Sequence, residues 1–267
     1  MLEQLGNYLR LLELSGTREI LLPAAPSAAA AAAAATLAGA FACGDGSRPV
    51  DDGPWRACAG AEPGAGESAP GGGIDALRLE VEGCKACELH RGRTNVVFGE
   101  GNCSARLMFV GEGPGADEDA QGRPFVGRAG ELLTRIISAM GIRREDVYIA
   151  NVVKCRPPGN RNPDPDEICS CLPYLEKQIA LVRPEVICTL GNVATRTLAG
   201  EPRPISEMRL NLYSYRGIDL VPTFHPAACL RNPDSKKDVW EDIKKVMRLL
   251  GLPIRGGRTD GPGKNGD

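Results

Sequence analysis

The chain has 267 residues, 42% of them hydrophobic, which is enough for a sizeable core in one large or two small domains. Its ten cysteines do not indicate a disulfide scaffold, because the chain is long and charged side chains interrupt its first 20 residues. The formal net charge is −2, with −6 on residues 1–83 and +4 on residues 84–267. The second part is therefore compatible with a polyanionic partner.

Residues 1–22 predict a short amphipathic helix. One helical face carries four leucines, Leu2, Leu5, Leu9 and Leu12. The helix either docks on its own domain, which we favour, or binds a partner protein. Residues 23–73 are rich in Ala, Gly and Pro and predict a flexible linker, so that a disordered extension precedes the folded domain. Its alanine-rich part is too weakly apolar for a transmembrane helix, and we expect a cytoplasmic protein without a membrane segment.

The folded domain is expected over residues 74–252, followed by a disordered tail at residues 253–267. Apolar runs predict four strands, at residues 107–111, 147–153, 186–190 and 220–223. Helical patterns between and after them cover residues 129–140, 167–182, 193–198 and 236–250. This alternation predicts an α/β fold, a three-layer αβα sandwich around a central, mainly parallel four-stranded sheet.

A glycine-rich turn follows the first strand in the stretch FVGEGPGADEDAQGRPFVG, residues 109–127. In open α/β sheets, ligands bind at the carboxyl ends of the strands, where this turn lies. The turn lacks both the dinucleotide fingerprint and a Walker-type Lys-Ser/Thr, which disfavours a nucleotide-cofactor enzyme.

Four cysteines have the spacing of a metal site. Cys84 and Cys87 form a C-x-x-C, Cys155 follows 68 positions later, and Cys171 comes 16 positions after that. Four thiolates suit a tetrahedral zinc or a cubane iron–sulfur cluster, and spacing alone favours zinc over iron. Cys103 and Cys169 are rival ligands, Cys169 the stronger because it lies two residues from Cys171, and buried structural thiols are the competing interpretation.

Two further strand ends carry polar side chains. Asn151 begins a proline-rich loop, where it either reads a nucleobase edge or caps a turn. The basic residues of this loop contact phosphates or are simply solvated; they are Lys154, Arg156 and Arg161. His225 follows the fourth strand, so that three strand ends offer a turn, an amide and an imidazole to one pocket.

The motifs GEGPG, GRPFVG, NVVKCRPPGNR and FHPA, in this order and with the four cysteines, resemble the family 4 uracil-DNA glycosylases. The resemblance covers roughly residues 83–250. It implies a structural [4Fe-4S] cluster on Cys84, Cys87, Cys155 and Cys171, which displaces zinc and Cys169. It also implies that uracil is flipped out of DNA, stacks on Phe125 and is read by Asn151.

The same resemblance implies hydrolysis of the N-glycosidic bond to uracil, which starts base excision repair. His225 is expected to donate a hydrogen bond to uracil O2, assisted by main-chain N–H groups around Glu112 and Gly113. Gly113 stands where other branches carry a water-positioning Asp. Either a dissociative path needs no strong base, or one of four acidic residues activates the water, namely Glu112, Asp117, Glu118 or Asp119. Glu118 is also a candidate wall against the thymine methyl.

Family members often carry a leucine wedge where this chain has Cys229, so Leu230 or Arg231 is expected to fill the space left by the flipped base. No histidine lies between His90 and His225, which argues against a related covalent chemistry. We expect a monomer that acts on uracil-containing DNA, single- or double-stranded. The alternative is a non-catalytic, metal-stabilised module that binds nucleic acid.

Overall fold

The structure, a computed structural model, describes residues 73–254. The predicted N-terminal helix, the predicted linker up to residue 72 and residues 255–267 of the predicted tail lie outside the described residues. Between residues 73 and 254, none of the helices combines the length and the apolar character that crossing a membrane requires.

A six-stranded sheet forms the centre of the described region. Its strands are β1 (Glu100–Gly101), β2 (Leu107–Gly111), β3 (Tyr148–Asn151), β4 (Val186–Leu190), β5 (Tyr213–Tyr215) and β6 (Ile218–Thr223), in the spatial order β1-β3-β2-β4-β6-β5. The four inner strands are the predicted ones and are parallel. The predicted number of four was wrong, because β1 and β5 add an antiparallel strand at each edge. These edge strands are too short for periodicity to reveal them.

Helices cover both faces of the sheet. They are α1 (Ile74–Glu82), α2 (Ala116–Gln121), α3 (Arg128–Ala139), α4 (Pro165–Val182), α5 (Asn192–Ala199), α6 (Ile205–Met208), α7 (Pro226–Arg231) and α8 (Ser235–Leu249). The four predicted helices correspond to α3, α4, α5 and α8. At the start of α4, the Glu167 carboxylate accepts from the Asp164 N–H at 2.7 Å, and Pro165 occupies the first turn, where no N–H is needed.

The core consists of two layers because side chains alternate along each strand. Side chains on one face of the sheet, such as those of Met108 and Ile187, pack against α4 and α5. Side chains on the other face, such as those of Phe109 and Val221, pack against α3 and α8. Since β2, β3 and β4 are buried along their whole length, the helices enclose the sheet on both sides, and the three-layer αβα prediction is confirmed.

The carboxyl ends of the four parallel strands meet at one edge of the sheet. Gly111, the last residue of β2, is the register partner of Asn151, the last residue of β3. In the same way Leu190 pairs with Thr223 at the ends of β4 and β6. The residues that continue from these four ends therefore face a common space.

Candidate active site

A cavity of about 530 Å³ lies at this carboxyl edge. Its lining includes every residue predicted to bind or act on the base, namely Glu112, Gly113, Glu118, Phe125, Asn151 and His225. Arg161 and Arg231 lie at the same cavity. The structure thus brings the turn, the amide and the imidazole together, as the strand ends predicted.

Asn151 has a buried acceptor with no partner. The residue is 1% exposed, and among the described residues its Oδ1 is the single buried side-chain oxygen or nitrogen without a hydrogen bond. Buried polar atoms are nearly always paired, because an unpaired one costs about 1–3 kcal/mol. An orphaned acceptor in the wall of a cavity therefore indicates a ligand that supplies the missing donor.

Phe125 is held next to the imidazole in a strained backbone conformation. Its ring centroid lies 5.6 Å from that of His225, with the planes tilted by 30°. The φ angle of Phe125 is 54°, in the left-handed region that bulky residues rarely adopt. Arg144 supports this conformation, since its Nη2 donates to the Pro124 carbonyl at 2.6 Å and to Glu100 Oε1 at 2.7 Å. Glu100 belongs to β1, so the edge strand that the sequence did not reveal stabilises the aromatic wall of the cavity.

His225 is a neutral imidazole with a defined tautomer. It caps α7, and its Nδ1 accepts a hydrogen bond from the Ala227 N–H at 3.1 Å. Burial, together with the positive charge of Arg231, lowers the pKa of His225 from 6.5 to about 4, although Glu118 acts in the opposite direction. Because Nδ1 is an acceptor and the ring is neutral, the proton lies on Nε2, which remains available as a donor.

Glu118 ties two segments of the site together. Its Oε2 accepts from the Gly115 N–H at 3.1 Å, and its Oε1 accepts from the N–H groups of Val126 and Gly127 at 3.0 and 3.1 Å. The carboxylate thereby fixes the glycine turn to the segment that carries Phe125. Three backbone donors already occupy its oxygens, which makes Glu118 a weak candidate for the water-activating group.

The four acidic candidates for activating the water differ in their position relative to the cavity. Glu112 lines the cavity, and burial raises the pKa of its carboxyl group above 4.5. Asp119 is buried away from the cavity, where its Oδ1 accepts from the Thr94 N–H at 2.9 Å. Asp117 lies against Gly127. Within residues 73–254, Glu112 and Glu118 are the acidic side chains that line the cavity.

One predicted DNA contact was wrong. Lys154 is 1% exposed, and its ammonium donates to the Asn151 carbonyl at 2.7 Å and to Gln178 Oε1 at 2.5 Å. A side chain enclosed in this way does not reach a phosphate. Arg156 bonds Asn160 at 2.8 Å, and Arg161 forms a two-pronged ion pair with Glu167. Arg161 lines the cavity, and Arg156 is bonded to Asn160, which also lines it, so phosphate contacts are still expected of both.

The segment after His225 presents one apolar side chain to solvent. Leu230 is 41% exposed, whereas Cys229, the position at which the resemblance places a wedge, is 1% exposed. Arg231 is also exposed and lines the cavity. Of these three residues, Leu230 is therefore the exposed apolar one.

A second, small cavity is lined by Cys84, Cys87, Cys155 and Cys171. Burial raises the pKa of Cys155, and it raises that of Cys171 to about 11, so these thiols ionise readily only beside positive charge. Arg93 Nη1 donates to Cys155 Sγ at 3.3 Å. Among the described residues, no group of three or more His, Cys, Asp or Glu has the geometry of a single-ion site. Four thiol side chains at one cavity are the donor set that a [4Fe-4S] cluster takes.

Comparison with known proteins agrees with this geometry. A family model described as the uracil DNA glycosylase superfamily matches residues 98–244. The Type-4 uracil-DNA glycosylase of Thermotoga maritima is 52% identical over 181 residues, which cover 66% of this chain and 94% of that protein. The Type-4 uracil-DNA glycosylase of Saccharolobus solfataricus is 46% identical over 187 residues, which cover 66% of this chain and 86% of that protein. The matched region contains all the residues that line the cavity of about 530 Å³, and the chain belongs to the uracil-DNA glycosylase superfamily.

Proposed function

We propose that this protein is a uracil-DNA glycosylase. It flips uracil out of DNA and hydrolyses the bond between the base and deoxyribose, leaving an abasic site for base excision repair. The observation that carries the proposal is the orphaned Oδ1 of Asn151 in a cavity that also contains the Phe125 ring and the His225 imidazole.

Asn151 discriminates uracil from cytosine by its fixed pair of polar atoms. Its Oδ1 accepts from uracil N3–H while its Nδ2 donates to uracil O4. Cytosine presents an acceptor and a donor at the same positions, so both contacts fail. Each buried group left unpaired costs about 1–3 kcal/mol, which favours uracil. Phe125 stacks on the face of the base, and the role proposed for Glu118 is to exclude a 5-methyl group.

His225 stabilises the leaving group. As the glycosidic bond breaks, negative charge collects on uracil O2 and positive charge on the sugar. The Nε2–H of a neutral His225 donates to O2, together with main-chain N–H groups around Glu112 and Gly113. Loss of one such preorganised donor costs about 3–4 kcal/mol. Water adds its hydroxyl group to C1′, and its proton balances the charge of the released uracil.

Glu112 is the proposed water-positioning group. Its carboxyl group is in the cavity and has a raised pKa, and its oxygens are not committed to the backbone bonds that restrain Glu118. A carboxylate with a pKa shifted toward neutrality suits proton transfer near physiological pH.

The four cavity cysteines are proposed to hold a [4Fe-4S] cluster, which has a structural role here and takes part in no bond-breaking step. Arg156, Arg161 and Arg231 are proposed to contact DNA phosphates, and Leu230 is the proposed wedge. We further propose a monomer, since one flipped base needs one cavity, and a reducing, cytoplasmic location, since thiolate ligands must stay reduced. The predicted N-terminal helix remains a candidate for binding another protein.

The test is release of free uracil from a uracil-containing oligonucleotide by the full chain, with His225→Ala measured in parallel. We expect release by the wild type, a loss of about two to three orders of magnitude in the variant, and the same visible iron–sulfur absorption in both. If cluster-loaded wild type releases no uracil but binds the oligonucleotide, the non-catalytic binding module is the correct interpretation.

A further inference from the structure

Lys154 joins the base-reading amide to the cysteine site. It lies three residues after Asn151 and next to Cys155. Its ammonium donates to the Asn151 carbonyl at 2.7 Å, and its backbone N–H donates to Cys171 Sγ at 3.3 Å. A single residue therefore contacts both the strand end that carries the amide and one of the four thiols.

The ammonium is held by a polar network in the core. Gln178, fully buried on α4, accepts from Lys154 Nζ through Oε1 and donates through Nε2 to the Phe98 carbonyl at 2.9 Å and to the Tyr148 hydroxyl at 3.1 Å. Tyr148 is the first residue of β3, the strand that ends at Asn151. Both ends of β3 are thus connected to α4 through one amide.

Burying a lysine is costly, and an apolar side chain of similar length in its place is often neutral or stabilising. A purely structural role for Lys154 would therefore be better served by methionine. A charged donor directed at the carbonyl of the residue that reads the base is instead suited to fixing the position of that residue.

We propose that Lys154 is a positioning residue, which holds Asn151 in register for the base and connects it to the cysteine site. This inference rests on the proposed glycosylase function. Its consequence is that Lys154→Met weakens recognition of uracil without unfolding the protein. A misplacement of about 1 Å in a reading group typically costs a factor of about 10 to 100 in rate.

The experiment compares wild type, Lys154→Met and Lys177→Met as full-length, cluster-loaded proteins. Lys177 is a matched control, since it is an exposed lysine on α4 that pairs with Glu80 and lies outside the cavity lining. The readouts are kcat and KM for uracil release, the inhibition constant of free uracil, the visible cluster absorption and the melting temperature. We expect Lys154→Met to lower kcat/KM by about 10- to 100-fold and to weaken uracil inhibition, with absorption and melting temperature maintained.

Unchanged uracil inhibition and kcat/KM in folded Lys154→Met overturn the proposal. Loss in proportion to a lower melting temperature or lost absorption also overturns it, because that is the signature of a structural role. If Lys154→Met does not accumulate, Gln178→Leu tests the same network and is expected to weaken uracil inhibition in the same direction. Failure of uracil release in wild type and Lys177→Met alike would instead reject the glycosylase function itself.

Discussion

Gly111 and Asn151 face each other at the ends of neighbouring parallel strands, so closely that a side chain on the first would displace the amide of the second. A Cβ atom at Gly111 would lie 2.5 Å from Asn151 Oδ1 and 2.5 Å from Phe125 Cζ. The absence of a side chain at Gly111 thus allows the reading amide and the stacking ring to occupy the same small space.

Gly111→Ala is therefore expected to reduce uracil release by about 100-fold, because the new methyl group moves Asn151 or Phe125 by a substantial part of an ångström. The measurement is kcat/KM on a uracil-containing oligonucleotide. Gly92→Ala is the control, since a Cβ there meets nothing within 4 Å. Equal activity of the two variants would contradict the close packing of the site.

His225 is expected to remain neutral through the physiological range. Its folded-state pKa of about 4 lies below the value of 6.5 for a free histidine, so the unfolded chain takes up the proton first as the pH falls. The contribution of neutral His225 to the free energy of unfolding is therefore fully present above pH 6.5, and it is lost progressively between pH 6.5 and 4. NMR titration of the imidazoles checks this, with His90→Gln to assign the signals of the two histidines. A His225 midpoint near 6.5 would refute the buried neutral state.

Glu112→Gln is expected to lower kcat by about 100-fold or more if the carboxylate positions the water. Because burial raises the pKa of Glu112, the reactive carboxylate form increases with pH through a pKa above 4.5. The wild-type rate should therefore rise with pH in that region, and the variant should lack this acid limb in a pH–rate profile. An unchanged rate and profile would favour the dissociative path without a base.

Leu230→Ala is expected to reduce activity on duplex DNA more than on single-stranded DNA, because a wedge is needed only where a base leaves a stack. The measurement is the ratio of kcat/KM values on the two substrates. Leu210→Ala is the matched control, since Leu210 is also exposed, at 60%, but lies outside the cavity lining. If Leu230→Ala leaves this ratio unchanged, Leu230 is not the wedge, and Arg231 becomes the candidate for that role.

The long elements were predictable because each buries a periodic apolar pattern. Strands β2 and β4 begin and end at the predicted residues. The positions of Asn151 and His225 at or just after strand ends were enough to predict that they line one pocket. What escaped prediction depends on pairings between distant residues. Lys154 looked like a loop cation, and only its contact with Gln178, 24 residues later, reveals that it is buried.

The contacts that support Phe125 were not predicted, for the same reason. Arg144 reaches the Pro124 carbonyl from 20 residues away, and Glu100 joins them from an edge strand of two residues. No local pattern marks such residues, since an arginine after a helix and a glutamate before a loop are ordinary surface features.

A group bound by all four cysteines of the small cavity would also change how the chain unfolds. Cys87 and Cys155 enclose residues 88–154, which contain β2, α2, α3 and β3, and Cys171 adds the first turns of α4. A group bound by all four thiolates closes this segment into a covalent loop and so reduces the entropy that the chain gains on unfolding. Because the loop contains the glycine turn, Phe125 and Asn151, loss of that group would lower the free energy of unfolding of the base pocket itself.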